Sequence, residues 1–210
     1  MLTVWCLCWG DKYSDYAVQR LQKSVRANLS APHRFICITD RKIGQVATMP
    51  PPVDWPGWWG KLALFKPGIC TRQNIWLDLD VIVTGSLDFL LDYTSCELAT
   101  LLNWAQSGHG GCQSSVMAWG QNRATIQIYK DFKPEWAIWP PVNRPEVLWG
   151  DQEWITKLRD NNKLDVTPIN DSYIKSYKYH CRDGLPKDCR IVVFHGDPKP
   201  SEVTESWFRW

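Results

Sequence analysis

Two aspartates interrupt the most apolar of the predicted strands. Asp78 and Asp80 lie within residues 75–83, which read Ile-Trp-Leu-Asp-Leu-Asp-Val-Ile-Val. A regular strand would place both carboxylates on one face, because side chains alternate with a period of two. Two neighbouring carboxylates repel each other and resist burial, and a divalent cation such as Mg²⁺ or Mn²⁺ relieves that repulsion. A cation held there could neutralise a diphosphate leaving group. The competing interpretation is a strand end whose carboxylates are simply solvated.

A second group of chemically suited residues follows the predicted strand 190–194. His195, Gly196 and Lys199 come directly after it, and Lys199 stands between two prolines. Histidine is a ligand for borderline cations, glycine lets the backbone approach a bulky anion, and lysine carries a point charge for phosphate. Because open α/β sheets bind nucleotides at the carboxyl ends of their strands, this group indicates a nucleotide site.

The elements that would position these residues begin with a β-α-β unit. Residues 3–8 and 35–38 predict buried strands, and the spacing of apolar residues over 16–29 predicts a helix between them. This order implies a parallel pair and an α/β sheet. Further along, the sequence predicts strands at 74–83, 98–102, 115–119 and 190–194 and helices at 58–66, 123–132 and 151–161.

This combination resembles the GT-A-fold glycosyltransferases and is most similar to family eight, which includes glycogenin and bacterial galactosyltransferases. Asp78-Leu79-Asp80 is similar to the metal-binding Asp-x-Asp of that family, and residues 195–200 match its His-x-Gly-x-x-Lys-Pro type of ending in residue order, one residue shorter than in some members. The resemblance implies a Rossmann-like α/β/α fold of three layers with a mixed, mainly parallel central sheet. It also implies a single domain over 1–210, with a nucleotide-binding part at about 1–85, an acceptor side at about 86–190 and a metal and phosphate motif at 191–200.

The resemblance assigns donor-binding roles to five residues. Asp78, Asp80 and His195 would ligate Mn²⁺ or Mg²⁺, and Asp78 with Gly196 and Lys199 would bind the diphosphate of the donor. The metal and Lys199 would then stabilise the departing diphosphate.

Five further residues are assigned to the base and the sugar. Asp11-Lys12-Tyr13 resembles the loop that holds uridine, with Asp11 and Tyr13 as the contacts and Tyr13 stacking on the base. Lys61 resembles a basic residue that reaches the donor sugar or phosphates, and Asp151 with Gln152 resembles the pair beside the reacting sugar. One segment departs from the family, because Gln113-Ser114-Ser115 stands where Asn-Ser-Gly or Asn-Ala-Gly is common.

The expected function is metal-dependent transfer of a sugar from a nucleotide diphosphate, as in a UDP-sugar, to a glycan, protein or lipid-linked acceptor, with retention of configuration. One alternative is a non-catalytic carbohydrate-binding protein on a GT-A scaffold. Another is a phosphatase of the haloacid dehalogenase type, which also carries Asp-x-Asp after a strand. That alternative is weaker because the phosphatase motif normally lies near the N-terminus and has Thr or Val where Ile82 stands here.

The composition limits the partners and the compartment. The net charge of +2 over 210 residues offers no basic surface for nucleic acid, and no apolar run is long enough for a membrane span. The eight cysteines lack zinc-ligand spacing, and the N-terminus does not read as a secretory signal, so we expect mostly free, core-forming thiols in the cytoplasm. The chain has 14 tryptophans. One group (55, 58, 59) is predicted near the donor and another (136, 139, 149, 154) around Asp151, and each could serve either the core or sugar contact.

Overall fold

A large and a small β-sheet form the frame of the protein. The computed structural model describes residues 1–104, 111–139 and 148–208. Within these residues the strands are β1 Leu2–Cys8, β2 His33–Thr39, β3 Ala47–Met49, β4 Gln73–Leu77, β5 Val81–Val83, β6 Leu98–Leu102, β7 Cys112–Gly120, β8 Val166–Pro168, β9 Ile174–Ser176 and β10 Ile191–Val193. Seven of them form the central sheet in the order β3-β2-β1-β4-β7-β6-β8, and three form the small sheet in the order β5-β10-β9.

The central sheet is mainly parallel. β1 pairs in parallel with β2 and β4, which confirms the predicted β-α-β unit. Only β7 runs against its neighbours, β4 and β6. The parallel strands therefore end at the same edge of the sheet, where nucleotide sites of open α/β sheets form.

Helices cover both faces of this sheet. α1 (Asp15–Asn28) buries Val18, Leu21 and Val25 on one face, in the same core cluster as Cys6 and Cys8 of β1. The other face is covered by a 3-10 helix (Gly57–Phe65), α2 (Arg123–Lys130) and α3 (Asp151–Asp160). The predicted three-layer α/β/α arrangement is confirmed. The remaining helical segments are α4 (Tyr177–His180) and short 3-10 turns at Asp88–Tyr93, Pro134–Trp136 and Pro200–Glu202. None of the described helices has the length and apolarity to cross a bilayer.

The single strand predicted at 74–83 is wrong. The chain leaves the central sheet after Leu77, turns through Asp78-Leu79-Asp80, and enters the small sheet as β5. Within this turn, the Val81 N–H donates a hydrogen bond to the Asp78 carbonyl over 3.4 Å. The prediction that one regular strand places both carboxylates on the same face is therefore wrong, although both aspartates line the same cavity. The polar residues interrupt the ladder because their side chains face a cavity instead of a sheet neighbour.

Most other predicted elements agree with the structure within a few residues. The segment 58–66 is a 3-10 helix and not an α-helix, and the strand predicted at 115–119 extends over Cys112–Gly120. The sequence analysis missed β3, β8 and β9, which have three residues each and no apolar run of their own. Two segments for which the sequence predicts a loop or irregular structure instead of a strand or helix, 107–111 and 133–146, lie partly outside the described residues.

The cysteines serve the core, as predicted. All eight are free thiols, and six of them are buried. Cys6 and Cys8 lie on one face of β1, while Leu7 packs with the cluster on the other face.

Candidate active site

A cavity of about 420 Å³ lies at the carboxyl ends of β1 and β4, between the central sheet, α3 and the C-terminal motif. The predicted site residues that line it are Tyr13, Lys61, Asp78, Asp80, Asp151, Gln152, His195, Gly196 and Lys199. Asp11 is solvent-exposed and is not among the residues that line it. The fold thus brings residues from five distant segments of the chain to one place.

Hydrogen bonds from three other segments hold the backbone of the Asp78–Asp80 turn. The Asp78 N–H donates to the Ser115 carbonyl of β7, and the Phe194 N–H donates to the Asp80 carbonyl, both over 2.9 Å. In addition, the side chain of Arg20 in α1 donates through Nη2 to the Leu79 carbonyl at 3.0 Å. The same Arg20 nitrogen lies 3.3 Å from the Val81 carbonyl. The turn is fixed through its backbone, and both of its aspartates line the cavity.

Asp80 is a buried carboxylate with one unused oxygen. Its Oδ2 accepts a hydrogen bond from the Tyr13 hydroxyl at 3.0 Å and lies 3.5 Å from Lys199 Nζ. Its Oδ1 is buried and has no hydrogen-bond partner among the described residues. Burial raises the pKa of Asp80, and the negative charge of Asp78 raises it further, against the opposing effects of Lys199 and Tyr13. Such an oxygen favours a positive ligand.

Lys61 connects the Asp78–Asp80 turn to the start of α3. Its Nζ lies 3.1 Å from Asp78 Oδ1 and 3.1 Å from Asp151 Oδ2. It also donates to Ser114 Oγ at 3.0 Å, and only 4% of the residue is exposed. Burial lowers the pKa of Lys61, but the attraction of Asp151 and Asp78 outweighs that effect and the pKa is raised overall. Lys61 is therefore a charged group that orients two carboxylates.

Residues 113–115, which differ from the Asn-Ser-Gly or Asn-Ala-Gly pattern, lie at a β-bulge in β7 and supply polar groups. The register between β6 and β7 shifts after Thr100, so that Leu101 faces Gln113 while Thr100 faces Met117. Ser114 donates to Asp151 Oδ2 at 2.6 Å. Gln113 uses its amide locally, donating to Ser115 Oγ at 2.6 Å and accepting from the Ser115 N–H at 3.0 Å. The bulge thus positions Asp151 at the start of α3.

His195 lies between two aromatic rings at the other side of the cavity. It stacks on Trp104 and Tyr179, with centroids 6.0 Å and 5.7 Å away. Its Nε2 is 2.7 Å from Ser176 Oγ. Partial burial and the nearby charge of Lys178 lower the pKa of His195 and favour the neutral ring that metal ligation requires. Gly196 follows with φ +70°, a left-handed conformation that glycine adopts without strain.

The predicted metal ligands meet only part of the requirement for a divalent cation. Asp78 and Asp80 offer hard oxygen donors, and the unpartnered Oδ1 of Asp80 fits such an ion. His195 lines the same cavity, but its Nε2 is engaged with Ser176. No cluster of three His, Cys, Asp or Glu side chains close enough to hold a metal occurs within 1–104, 111–139 and 148–208. Asp80 Oδ1 therefore fits the cation, Asp78 is at present engaged with Lys61 and the Trp76 indole N–H, and the three-ligand site stays a prediction.

Lys12 is a cavity residue to which the sequence analysis gave no role. Its Nζ lies 5.4 Å from the Tyr13 ring centroid and 5.7 Å from the Trp58 ring centroid. Partial desolvation lowers the pKa of Lys12, and the like charge of Lys199 lowers it further. Two cations that repel each other in one cavity are suited to an anion between them. Its position directly before Tyr13, in the loop compared with a uridine site, was the signal that could have found it.

The structure divides the tryptophans into two groups. Trp59 and Trp154 are buried in the core, Trp55 stacks on Tyr129, and Trp136 packs against Trp154. Trp58, Trp139 and Trp149 instead line the cavity, together with Trp9 and Trp76, which the sequence analysis did not include. Each of the two groups predicted from the sequence therefore contains both core tryptophans and cavity-lining tryptophans.

No family model matches the chain, and no curated protein matches it in sequence. Among solved structures, it is similar to an active-site mutant of LgtC, with a TM-score of 0.59 and 13% identity over 94% of this chain and 89% of that chain. It is also similar to the glycosyltransferase GlyE of Streptococcus pneumoniae TIGR4, with a TM-score of 0.66 and 12% identity over 98% of this chain and 58% of that chain. The chain therefore spans a little over half of the GlyE chain.

These likenesses define the fold. The mixed, mainly parallel seven-stranded sheet with helices on both faces is the GT-A fold of the glycosyltransferases, as the motifs predicted. At such low identities, the function rests on the residues of the cavity.

Proposed function

We propose that this protein is a glycosyltransferase that moves a sugar from a nucleotide diphosphate donor, as in a UDP-sugar, with the help of Mn²⁺ or Mg²⁺. The observation that carries the proposal is the buried, unpartnered Asp80 Oδ1 beside Lys199, at the strand ends of a GT-A fold. A carboxylate oxygen without a partner and a lysine beside the same turn are suited to a cation and a diphosphate together.

The charges around the cavity support a donor that arrives with a cation. Three lysines and three aspartates line it, so their formal charges cancel. A nucleotide diphosphate sugar carries two negative charges, which a divalent cation balances. Because Lys61 is already shared by Asp78 and Asp151, the cations left for the diphosphate are Lys12 and Lys199.

In this proposal Asp78 and Asp80 hold the cation, and His195 joins them when its ring leaves Ser176. The bound ion would act as a Lewis acid on the diphosphate oxygens and stabilise the leaving group. Tyr13 keeps Asp80 oriented through its hydroxyl and offers its ring to the base, and Asp11 stays the proposed second contact of the uracil. Gly196 lets the backbone approach the phosphates.

The sugar itself would lie against Lys61, Asp151 and Gln152. Lys61 and Ser114 hold the Asp151 carboxylate in place, so that Asp151 and the adjacent Gln152 can orient the sugar hydroxyls. The bond from the anomeric carbon to the diphosphate oxygen breaks, and a bond to the acceptor oxygen forms. The acceptor proton passes to the departing diphosphate, and attack on the face that the diphosphate leaves retains the configuration.

A non-catalytic carbohydrate-binding protein is the second candidate, because several tryptophans face the same cavity. The GT-A fold offers no support for a phosphatase. All eight cysteines are free thiols, which supports the reducing, cytoplasmic compartment in this proposal.

The test is nucleotide release from a panel of UDP- and GDP-sugars with Mn²⁺ or Mg²⁺, comparing Asp80→Asn with Asp183→Asn. Asp183 is an exposed carboxylate outside the cavity and serves as the matched control. We expect Asp80→Asn to lower metal-dependent release at least about a hundredfold, and Asp183→Asn to leave it unchanged. Full activity in Asp80→Asn would overturn the metal assignment. Glycan binding without release from any donor would favour the non-catalytic candidate.

A further inference from the structure

Four tryptophans contribute to the lining of the cavity. Trp9, Trp58, Trp139 and Trp149 all line it, and we call this group the tryptophan wall. Trp139 is its centre, because it meets Trp58 edge-to-face with ring centroids 4.7 Å apart and Trp9 in the same way at 5.9 Å. Edge-to-face contacts favour fixed orientations, so the rings of Trp9, Trp58 and Trp139 form one connected surface.

Two glycines make room for these rings. Gly57 has φ +61°, and a Cβ there would lie 2.5 Å from the Trp139 ring. At Gly150, directly before Asp151, a Cβ would lie 3.0 Å from Trp58 Nε1. The backbone therefore approaches the wall more closely than any residue with a side chain would allow. The second glycine also places the wall directly beside the residues proposed to hold the donor sugar.

The wall combines exposed ring surface with an unused hydrogen-bond donor. Trp149 is 44% exposed and Trp139 is 37% exposed. The backbone N–H of Trp149 is fixed by Glu153, at 2.5 Å from Oε2. Trp58 Nε1 is buried and has no hydrogen-bond partner among the described residues. A ligand for this surface needs an apolar face for the rings and an oxygen acceptor for the indole N–H.

We propose that the tryptophan wall binds the acceptor and that the acceptor is a saccharide. The apolar C–H face of a pyranose ring would stack on Trp149, and one of its oxygens would accept the Trp58 Nε1–H. The role of this saccharide as acceptor rests on the proposed function, but its binding at the wall does not depend on turnover. A lipid chain is less suited, because the polar side chains of Lys12 and Gln152 also line the cavity.

The position of the wall fits a saccharide that receives the transferred sugar. Trp149 precedes Asp151 by two residues, and both line the same cavity as the Asp78–Asp80 turn. A ring stacked on Trp149 would thus place its hydroxyls towards Asp151 and Gln152. Donor and acceptor would meet between α3 and the turn.

The experiment measures saccharide binding directly. Saturation-transfer difference NMR is recorded on the whole protein with pooled disaccharides of glucose, galactose, mannose and N-acetylglucosamine, in α and β linkage, with and without UDP and Mn²⁺. Trp149→Ala removes the exposed ring, and Trp58→Phe keeps a ring but removes the indole donor. Tyr16→Ala is the control, because Tyr16 is 55% exposed and lies outside the cavity.

We expect disaccharides to bind, with the strongest saturation on the C–H protons of one ring face. Trp149→Ala and Trp58→Phe should each weaken the affinity roughly three- to tenfold, while Tyr16→Ala should not change it. Failure of every disaccharide to bind, or unchanged affinity in Trp149→Ala with a native circular dichroism spectrum, would overturn the inference. If nucleotide release depends on Asp80 but saccharide binding does not depend on the wall, this inference fails and the proposed function stands. If saccharides bind at the wall but no donor is turned over, the proposed function fails and saccharide binding at the wall stands.

Discussion

Replacing Lys61 by methionine removes a positive charge that two carboxylates share inside the protein. The side chains of Lys61 and Asp151 are only 5% and 7% exposed, whereas that of Asp78 is 25% exposed. Loss of one partner of a buried ion pair costs about 3–5 kcal/mol, because it leaves an uncompensated buried charge. The more exposed Asp78 adds at most about 1 kcal/mol. We therefore expect Lys61→Met to lower the free energy of unfolding by about 3–6 kcal/mol in total.

The measurement is urea unfolding at pH 7 in a double-mutant cycle with Asp151→Asn. Asparagine keeps the shape of Asp151 and its contact with Ser114 but removes the charge. In Lys61→Met/Asp151→Asn no unpaired charge is left at residue 151, so we expect the double variant to be more stable than Lys61→Met alone. Since a domain of this size has only about 5–15 kcal/mol of stability, Lys61→Met itself could be mostly unfolded at 25 °C. The double variant keeps the argument testable in that case.

The pH dependence supplies a second check. The folded-state pKa of Lys61 is raised, so its stabilising contribution is fully present below its unfolded pKa, about 10.4. It is lost only as the pH rises through the folded value. Between pH 7 and 9 the difference between wild type and Lys61→Met should then receive no contribution from the titration of Lys61. Additive effects in the cycle, or a loss below about 1 kcal/mol in Lys61→Met, would refute the idea that Lys61 compensates a buried charge.

Three further predictions rest on the same geometry. Lys12→Gln and Lys199→Gln should each weaken UDP binding in calorimetry about tenfold or more, with exposed Lys187→Gln as the control; equal affinities in all three would remove both lysines from the diphosphate site. Arg20→Met should lower the free energy of unfolding by about 2–3 kcal/mol, because the Leu79 and Val81 carbonyls lose their donor, and Arg20→Lys should recover part of the loss in urea denaturation. Burial raises the pKa of Cys70 to about 11, so residue-resolved mass spectrometry should show alkylation of Cys70 rising until about that pH. Alkylation that levels off near pH 9 would contradict it.

Much of the fold was predictable because its signals are local. The apolar run of β1, the spacing of Val18, Leu21 and Val25 in α1, and the strand at β2 are adjacent in sequence, and they suffice for a parallel α/β sheet. The split at Asp78 was not predictable in the same way. Apolar residues flank both aspartates, so the pattern looks like one strand, and only the pairing of β5 with β10 shows that the chain has changed sheets.

The candidate site was likewise predictable in its residue types but not in the contacts between them. The residue types at Asp78, Asp80, His195 and Lys199 are enough to indicate a cation and a phosphate. Their partners lie far away in the chain, as with Lys61 and Asp151, and no local pattern encodes such contacts. The unused oxygen of Asp80 and the engagement of His195 with Ser176 are likewise properties of packing.

The tryptophans show most clearly which properties the sequence determines and which depend on the tertiary structure. The sequence by itself determined that the chain is rich in them and that they gather before and after the proposed donor and acceptor segments. Whether a given ring lies in the core or on the cavity depends on which side chains pack against it in the fold. Trp154 faces the core from α3, whereas Trp149, just before the same helix, faces the cavity. Only the tertiary structure decided that difference, because burial is set by what packs against a side chain and not by the side chain alone.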